Sequence, residues 1–203
     1  MNPSRTSSFG LSATYPEEIG SIGHTIRCSH SKGIDDIDPV IALHTIRSIA
    51  FPLAEIINCS FNSGVFPQAL KTAKVVPIFK KGARDEVSNY RPISVLPFFS
   101  KIFEKLMYVR LNNYITKENI LFPSQHGFQH GHSSYMPQVS RPMQDKISNA
   151  IENNEFSIGI FLDLAKAFYT VNHDILLKKL CIYGIRGTQL KWFASYILRI
   201  AHK

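Results

Sequence analysis

With 203 residues, 44% of them hydrophobic, the chain is long enough for one good-sized domain or two small ones with a core that folds alone. Its 23 lysines and arginines against 15 aspartates and glutamates leave a formal charge of +8, which favours polyanionic partners and says nothing about fold. Cys28, Cys59 and Cys181 form no CxxC pair, no run is long and apolar enough to cross a bilayer, and the N-terminus has no hydrophobic signal core; these argue against a disulfide framework and for an intracellular protein of the nucleus or cytoplasm.

Residues 1–33 are rich in Ser, Gly and Thr without a sustained period, and read as a poorly ordered lead-in. His24, Cys28 and His30 fall within it, but three scattered ligands without a fourth at a finger-like spacing do not make a metal site. Asp38-Pro39 is a helix start, a capping carboxylate followed by proline at the first helical position, with Val40, Ile41, Leu43 and Ile46 as its apolar stripe. A second helix from Pro52 to an end near Gly64 makes an αα-hairpin with the first.

Ala73 to Phe79 alternates around Val75, Val76 and Ile78, a strand that Pro77 confines to an edge or an end. The Lys80-Lys81-Gly82 run after it reads either as a solvated hairpin tip or as a phosphate-binding turn, in which glycine lets the backbone approach while ammonium groups neutralise charge. Asn89 to Pro92 leads into a second short strand, Ile93 to Leu96. From Pro97 to about Asn119, Phe99, Ile102, Phe103, Leu106, Leu111, Tyr114 and Ile115 give one apolar helical face, which is core packing. In Gln125 to Ser134 three histidines, His126, His130 and His132, have no neighbouring Cys or carboxylate to complete a metal site. Pro137 and Pro142 delay the next helix to about Met143 through Asn153, because an interior proline costs roughly 3 kcal/mol.

Between Phe156 and Asp163 the chain alternates again. Ile158, Ile160 and Leu162 fall on one face of a predicted strand, and Gly159, Phe161 and Asp163 on the other. A carboxylate at the end of so apolar a run needs a cation, a cluster of donors or open solvent. A metal is the sharpest of these readings. Asn172 caps the following helix, with Asp174 in its first turn, Ile175, Leu176 and Leu180 as a packing stripe and Gly184 at its end. Thr188 caps one more amphipathic helix through Leu190, Trp192, Phe193 and Ile197.

FLDLAKAF at 161–168, TVNHDILLKKL at 170–180 and YGIRG at 183–187 resemble the palm motif of reverse transcriptases from non-LTR, LINE-type, jockey-like retrotransposons. Upstream, SGVFPQALKTAKVVPIFKKG, SNYRPISVLPFFSKIFEKL and ILFPSQHGFQ follow the order and rough spacing of that family, so the resemblance spans about Ser31 to Ile197. It implies an α+β fold: the fingers (34–155) and the N-terminal part of the palm (156–203) of a right-hand polymerase, with amphipathic helices packed on short antiparallel strands.

The activity implied is RNA-directed DNA polymerisation. RNA template, DNA primer and deoxynucleoside triphosphates are the partners, with two divalent ions, Mg2+ or Mn2+, about 3.5 to 4 Å apart. The resemblance makes Asp163 and the carbonyl of Leu164 metal ligands, turns Lys80 or Lys81 and Arg91 toward the triphosphate, and makes Phe168 the steric gate beneath the sugar. The chain departs from the family where Gln129 and His132 replace arginines and Tyr169 replaces an aspartate, and no Asp-Asp pair follows Asp163. The expectation is therefore a fragment, inactive as an isolated chain. The alternatives are a non-catalytic nucleic-acid-binding remnant and a decayed, element-derived polypeptide without activity.

Overall fold

A computed structural model of the chain describes residues 7–27, 29–122, 125, 127–128, 137–160, 162–163, 167–168, 170–198 and 201–202, without the side chains of 137–143 and 201–202. It is a mixture of helices and one small sheet, an α+β arrangement. The chain divides into two units, residues 1–114 with 172–203 and residues 115–171.

The first unit begins with a correction. Where composition suggested a loose lead-in, Pro16–Thr25 forms helix α1, with proline at its start and Glu17 and Glu18 in its first turn. Ile19 and Ile22, three residues apart, bury one face, and Phe9 joins the same core. The ordering agent is Arg110. Its guanidinium forks onto both oxygens of Glu18 at 2.9 Å and donates to the carbonyls of Ser12 and Ala13 and the hydroxyl of Thr14. One distant arginine thus satisfies a stretch of backbone that local composition leaves without partners.

Helix α2 (Pro39–Thr45) starts as expected, with the Asp38 carboxylate accepting from the Val40 N–H at 2.8 Å. Helix α3 (Ala50–Ser63) buries Leu53, Ala54, Ile57 and Phe61. The two are bent by 104° across residues 46–49, a corner where an antiparallel hairpin was expected. No single helix among the described residues is long and apolar enough to cross a membrane.

Helix α4 (Phe98–Lys117) turns Phe98, Ile102, Phe103, Leu106 and Met107 inward. Against them pack α6 (His173–Ile182) and α7 (Gly187–Ile197), through Leu180, Ile185, Trp192, Phe193 and Tyr196. Asn172 caps α6 as predicted, accepting from the Ile175 N–H, but Ile175 of the expected stripe is exposed. Helix α7 begins at Gly187 after Arg186, so Thr188 lies inside its first turn and does not cap it.

Trp192 is the centre of the first unit. Its ring meets Phe61 and Phe66 edge-on and stacks on Tyr196, while its N–H donates to the Ser60 hydroxyl at 3.0 Å. Ser195 accepts from the Phe66 N–H and from the ammonium of buried Lys71. Tyr196 donates to Glu104 at 2.7 Å, and burial pushes both the Glu104 carboxyl and the Tyr196 hydroxyl above their ordinary pKa values.

Four connections share one stop signal. After α3 and α6 the left-handed residue is glycine, Gly64 and Gly184, and the next N–H reaches five residues back, Val65 to Ser60 and Ile185 to Leu180. After α4 it is Asn119, with Ile120 bonding Ile115. The fourth ends helix α5 (Pro137–Glu152), where Asn154 is left-handed and Glu155 bonds Ala150.

Helix α5 belongs to the second unit and starts six residues earlier than predicted. Pro137 occupies its first position, where the missing N–H has no partner to lose, and Pro142 lies close enough to the start to forfeit a single ladder bond. The predicted strand over 156–163 is absent: its described residues carry no regular structure, and Phe156, Ile158, Ile160 and Leu162 are almost fully exposed. Alternation fixes which side chains share a face, but a strand exists only when its N–H and C=O groups meet a ladder, and among the described residues none is offered.

Candidate nucleotide-facing hairpin

The sheet holds three strands in the order β2-β1-β3: β1 is Thr72–Phe79, β2 is Tyr90–Val95, antiparallel to it, and β3 is Ala201–His202, parallel to its first residues. The register of β1 and β2 decides the chemistry. Ile78 lies opposite Arg91, Val76 opposite Ile93 and Lys74 opposite Val95, while Pro77 faces Pro92 and Phe79 faces Tyr90. The Lys80 N–H donates to the Asn89 carbonyl at 2.8 Å, which makes 80/89 a hydrogen-bonded pair and, by alternation, 77/92 a non-bonded one. Pro92 therefore directs its missing N–H to the outer edge of β2, and Pro77 directs its own to the side of β1 that carries β3, beyond the paired residues Thr72 and Ala73, so neither costs a β1–β2 ladder bond.

Period two then sorts the side chains. One face carries Lys74, Val76, Ile78 and Lys80 beside Val95, Ile93 and Arg91. The other carries Val75, Pro77 and Phe79 beside Ser94, Pro92 and Tyr90. On this second face Phe79 and Tyr90 meet with centroids 5.5 Å apart, and the Arg84 guanidinium sits 5.4 Å from the Phe79 ring. These contacts support a ribbon that is otherwise solvated on both sides.

The tip is closed from within. Asn89 donates to the Ala83 carbonyl and to Glu86, and the Tyr90 hydroxyl to the Arg84 carbonyl. Gly82 has φ +97, and a Cβ there would come within 2.6 Å of the Asn89 amide, so both backbone and space require glycine. Lys80, Lys81 and Arg91 are exposed, and among the described residues no ion pair or hydrogen bond engages their side chains. Lys80 and Arg91 thus share one face, with Lys81 in the turn. Lys74 belongs to that face as well, a residue that period two identifies once the register is known.

The other predicted site residues fall in the second unit. Asp163 is exposed, so of the three justifications for its charge the structure supplies solvent. Leu164 lies outside the described residues, as do Gln129, His132 and Tyr169, the departures noted in the sequence, and His126 and His130. Among the described residues no three His, Cys, Asp or Glu side chains gather where a metal could sit. A hard divalent ion takes about six oxygen ligands, and one solvated carboxylate does not make that site. Of the N-terminal histidines, His30 pairs through Nδ1 with Asp38 at 2.8 Å. Phe168 is exposed, and its ring meets that of Phe128, a residue without a predicted role.

Comparison with known proteins bears on this geometry. The family profile described as reverse transcriptase (RNA-dependent DNA polymerase) matches residues 78–203, from the end of β1 onward. The probable RNA-directed DNA polymerase from transposon BS of Drosophila melanogaster is 35% identical over 165 residues, 80% of this chain and 18% of that protein. The RNA-directed DNA polymerase from mobile element jockey of the same fly is 33% identical over 174 residues, 85% of this chain and 19% of that protein. A protein of the type-1 retrotransposable element R1DM is 27% identical over 83% of this chain and 16% of its own length. The chain thus spans less than a fifth of the length of these curated relatives. It belongs to the reverse transcriptase (RNA-dependent DNA polymerase) family, among the polymerases of LINE-type, non-LTR retrotransposons.

Proposed function

We propose that these residues form the fingers and the opening part of the palm of a right-hand RNA-directed DNA polymerase, whose complete form copies an RNA template onto a DNA primer from deoxynucleoside triphosphates. Lys80 and Arg91, with Lys81 at the tip, receive the triphosphate. Asp163 presents one carboxylate toward a Mg2+ or Mn2+ site, beside the carbonyl of Leu164, and Phe168 lies beneath the sugar. The remaining metal ligands are not among the described residues, so no chemical step is assigned to this chain alone.

The observation that carries the proposal is the hairpin register, which aligns Lys74, Lys80 and Arg91 on one exposed face. A guanidinium fork holds two phosphate oxygens at once, while the lysines act as mobile point charges. The aliphatic surface of Val76, Ile78 and Ile93 lies between them, so the face is charged without being uniformly hydrated.

Binding of dATP with Mg2+ tests this directly. Lys80→Ala and Arg91→Ala are each expected to weaken binding by roughly tenfold, about 1.4 kcal/mol, and Lys74→Ala by less. Unchanged binding in the Lys80→Ala, Arg91→Ala double variant would remove the hairpin from the nucleotide site. Primer extension by the isolated chain is expected to be absent. Robust extension that Asp163→Asn abolishes would overturn the partial-site reading while supporting the family chemistry.

A second reading, a chain that holds nucleic acid without catalysis, is favoured by the contrast between the cationic hairpin and the single solvated carboxylate of Asp163. It predicts affinity for RNA or DNA that falls steeply with salt and is indifferent to Asp163→Asn.

A further inference from the structure

We infer that Phe128 is a positioning residue for the sugar-selecting ring of Phe168; this rests on the reading of Phe168 proposed above. Four non-glycine residues among those described have positive φ, and three are Asp36, Asn119 and Asn154, whose short polar side chains tolerate the left-handed region. Phe128, at φ 62, is the fourth. A bulky aromatic there is strained, and the strain serves no burial, because Phe128 is 89% exposed. What the turn does achieve is contact. The Phe128 and Phe168 rings lie 6.0 Å apart at an interplanar angle of 80°, an edge-to-face pair within the second unit.

Phe168 needs such a partner. At 77% exposure it has no packed walls, and an unsupported surface phenylalanine samples several rotamers. A ring that discriminates against a 2′-hydroxyl by collision has to be stationary when the sugar arrives. Phe128 contacts it from a separate turn while leaving most of both rings open, which suits a sugar or base laid against them. Gly127 beside it adds no crowding, since a Cβ there would meet nothing within 4 Å.

The test is the ratio of ATP to dATP dissociation constants, with Mg2+, on the full chain. Wild type is expected to favour dATP by at least about tenfold, and Phe168→Ala to bring the ratio near one. Phe128→Ala should do the same, and so should Phe128→Gly, which relaxes the left-handed turn but removes the ring. Phe128→Tyr should retain the wild-type ratio. Because the side chain is solvated, all variants should keep the wild-type thermal transition, which circular dichroism checks. If Phe168→Ala collapses the ratio while Phe128→Ala and Phe128→Gly preserve it, the positioning role is wrong and the steric gate stands. If wild type does not discriminate, binds neither nucleotide, or is unaffected by Phe168→Ala, the reading of Phe168 falls and this inference with it.

Discussion

The two units of this chain have comparable proportions of apolar sequence and use them in opposite ways. In the first, Phe9, Ile19, Ile57, Phe66, Phe103, Leu106, Ile185 and Trp192 converge from the N-terminal arm, α1, α3 and the segment after it, α4, the α6–α7 turn and α7 into one cluster. In the second, from Ile115 to Val171, no described side chain is buried, and Phe122, Ile151, Phe156, Ile158, Ile160 and Leu162 face solvent. The first unit brings its own partners, most of them on helices whose period-3.6 stripes match one another. The second offers a row with period two, which needs hydrogen-bonding neighbours before its side chains have a surface to cover.

That contrast is broken most forcefully at Trp192. Trp192→Ala removes a fully buried ring, its aromatic contacts with Phe61, Phe66, Phe193 and Tyr196 and the partner of Ser60, and is expected to cost about 3–5 kcal/mol, enough to erase the cooperative transition in denaturant. Leu162→Ser is expected to shift the same transition by less than about 0.5 kcal/mol. A large loss at Leu162 would show that the second unit has a core after all. Next in size is Gly184→Ala, expected to cost about 1–3 kcal/mol in the same assay: φ is +95, and a Cβ would collide with the Tyr114 hydroxyl and the Ser7 carbonyl, where the N-terminal arm meets the α6–α7 turn. Asn172→Ala, removing only a cap, should cost about 1 kcal/mol.

What could be read from sequence follows from how local each cause is. Asp38-Pro39, Asn172, Gly64 and Gly184 carry their instructions within a few residues, and the helices they bound appear where expected. The hairpin is legible in alternation, but Pro77 lies on the central strand of the three, and only the register shows that Lys80 and Arg91 share a face. Helix α1 was hidden because its anchor, Arg110, lies 92 residues from Glu18. Period two at 156–163 specifies which side chains share a face but not a formed strand, since pairing is not a local property. Asp163 stands out in the sequence as a carboxylate closing an apolar run, and the resemblance adds only its metal-ligand role; Phe168 is named through resemblance alone, since a solvated ring has no sequence signature of its own. Nothing in HGF announces positive φ at Phe128.

The smallest effect sharpens the comparison within the first unit, between two partly buried carboxylates, one capping α2 and one bonded to Tyr196 beside Trp192. Asp38 accepts a hydrogen bond from His30 and from the Val40 N–H, which lowers its pKa below the ordinary 3.8. The folded state then releases that proton more readily than the unfolded chain, so the contribution is present above the unfolded value and disappears as pH falls through the folded one. Glu104 is shifted the other way: burial raises its pKa above 4.5, against the opposing hydrogen bonds from Tyr196 and Ser100. Here the folded state holds the proton more tightly, and stability declines as pH rises from the unfolded value through the folded one. Urea midpoints taken from pH 3 to 7 should therefore separate the two. Asp38→Asn should flatten the acid limb, whereas Glu104→Gln should remove a loss that sets in above pH 4.5 and leave the acid limb in place. Identical pH profiles for both variants would mean that the Glu104–Tyr196 contact is as solvated as the cap, and that the core around Trp192 is looser than its buried rings indicate.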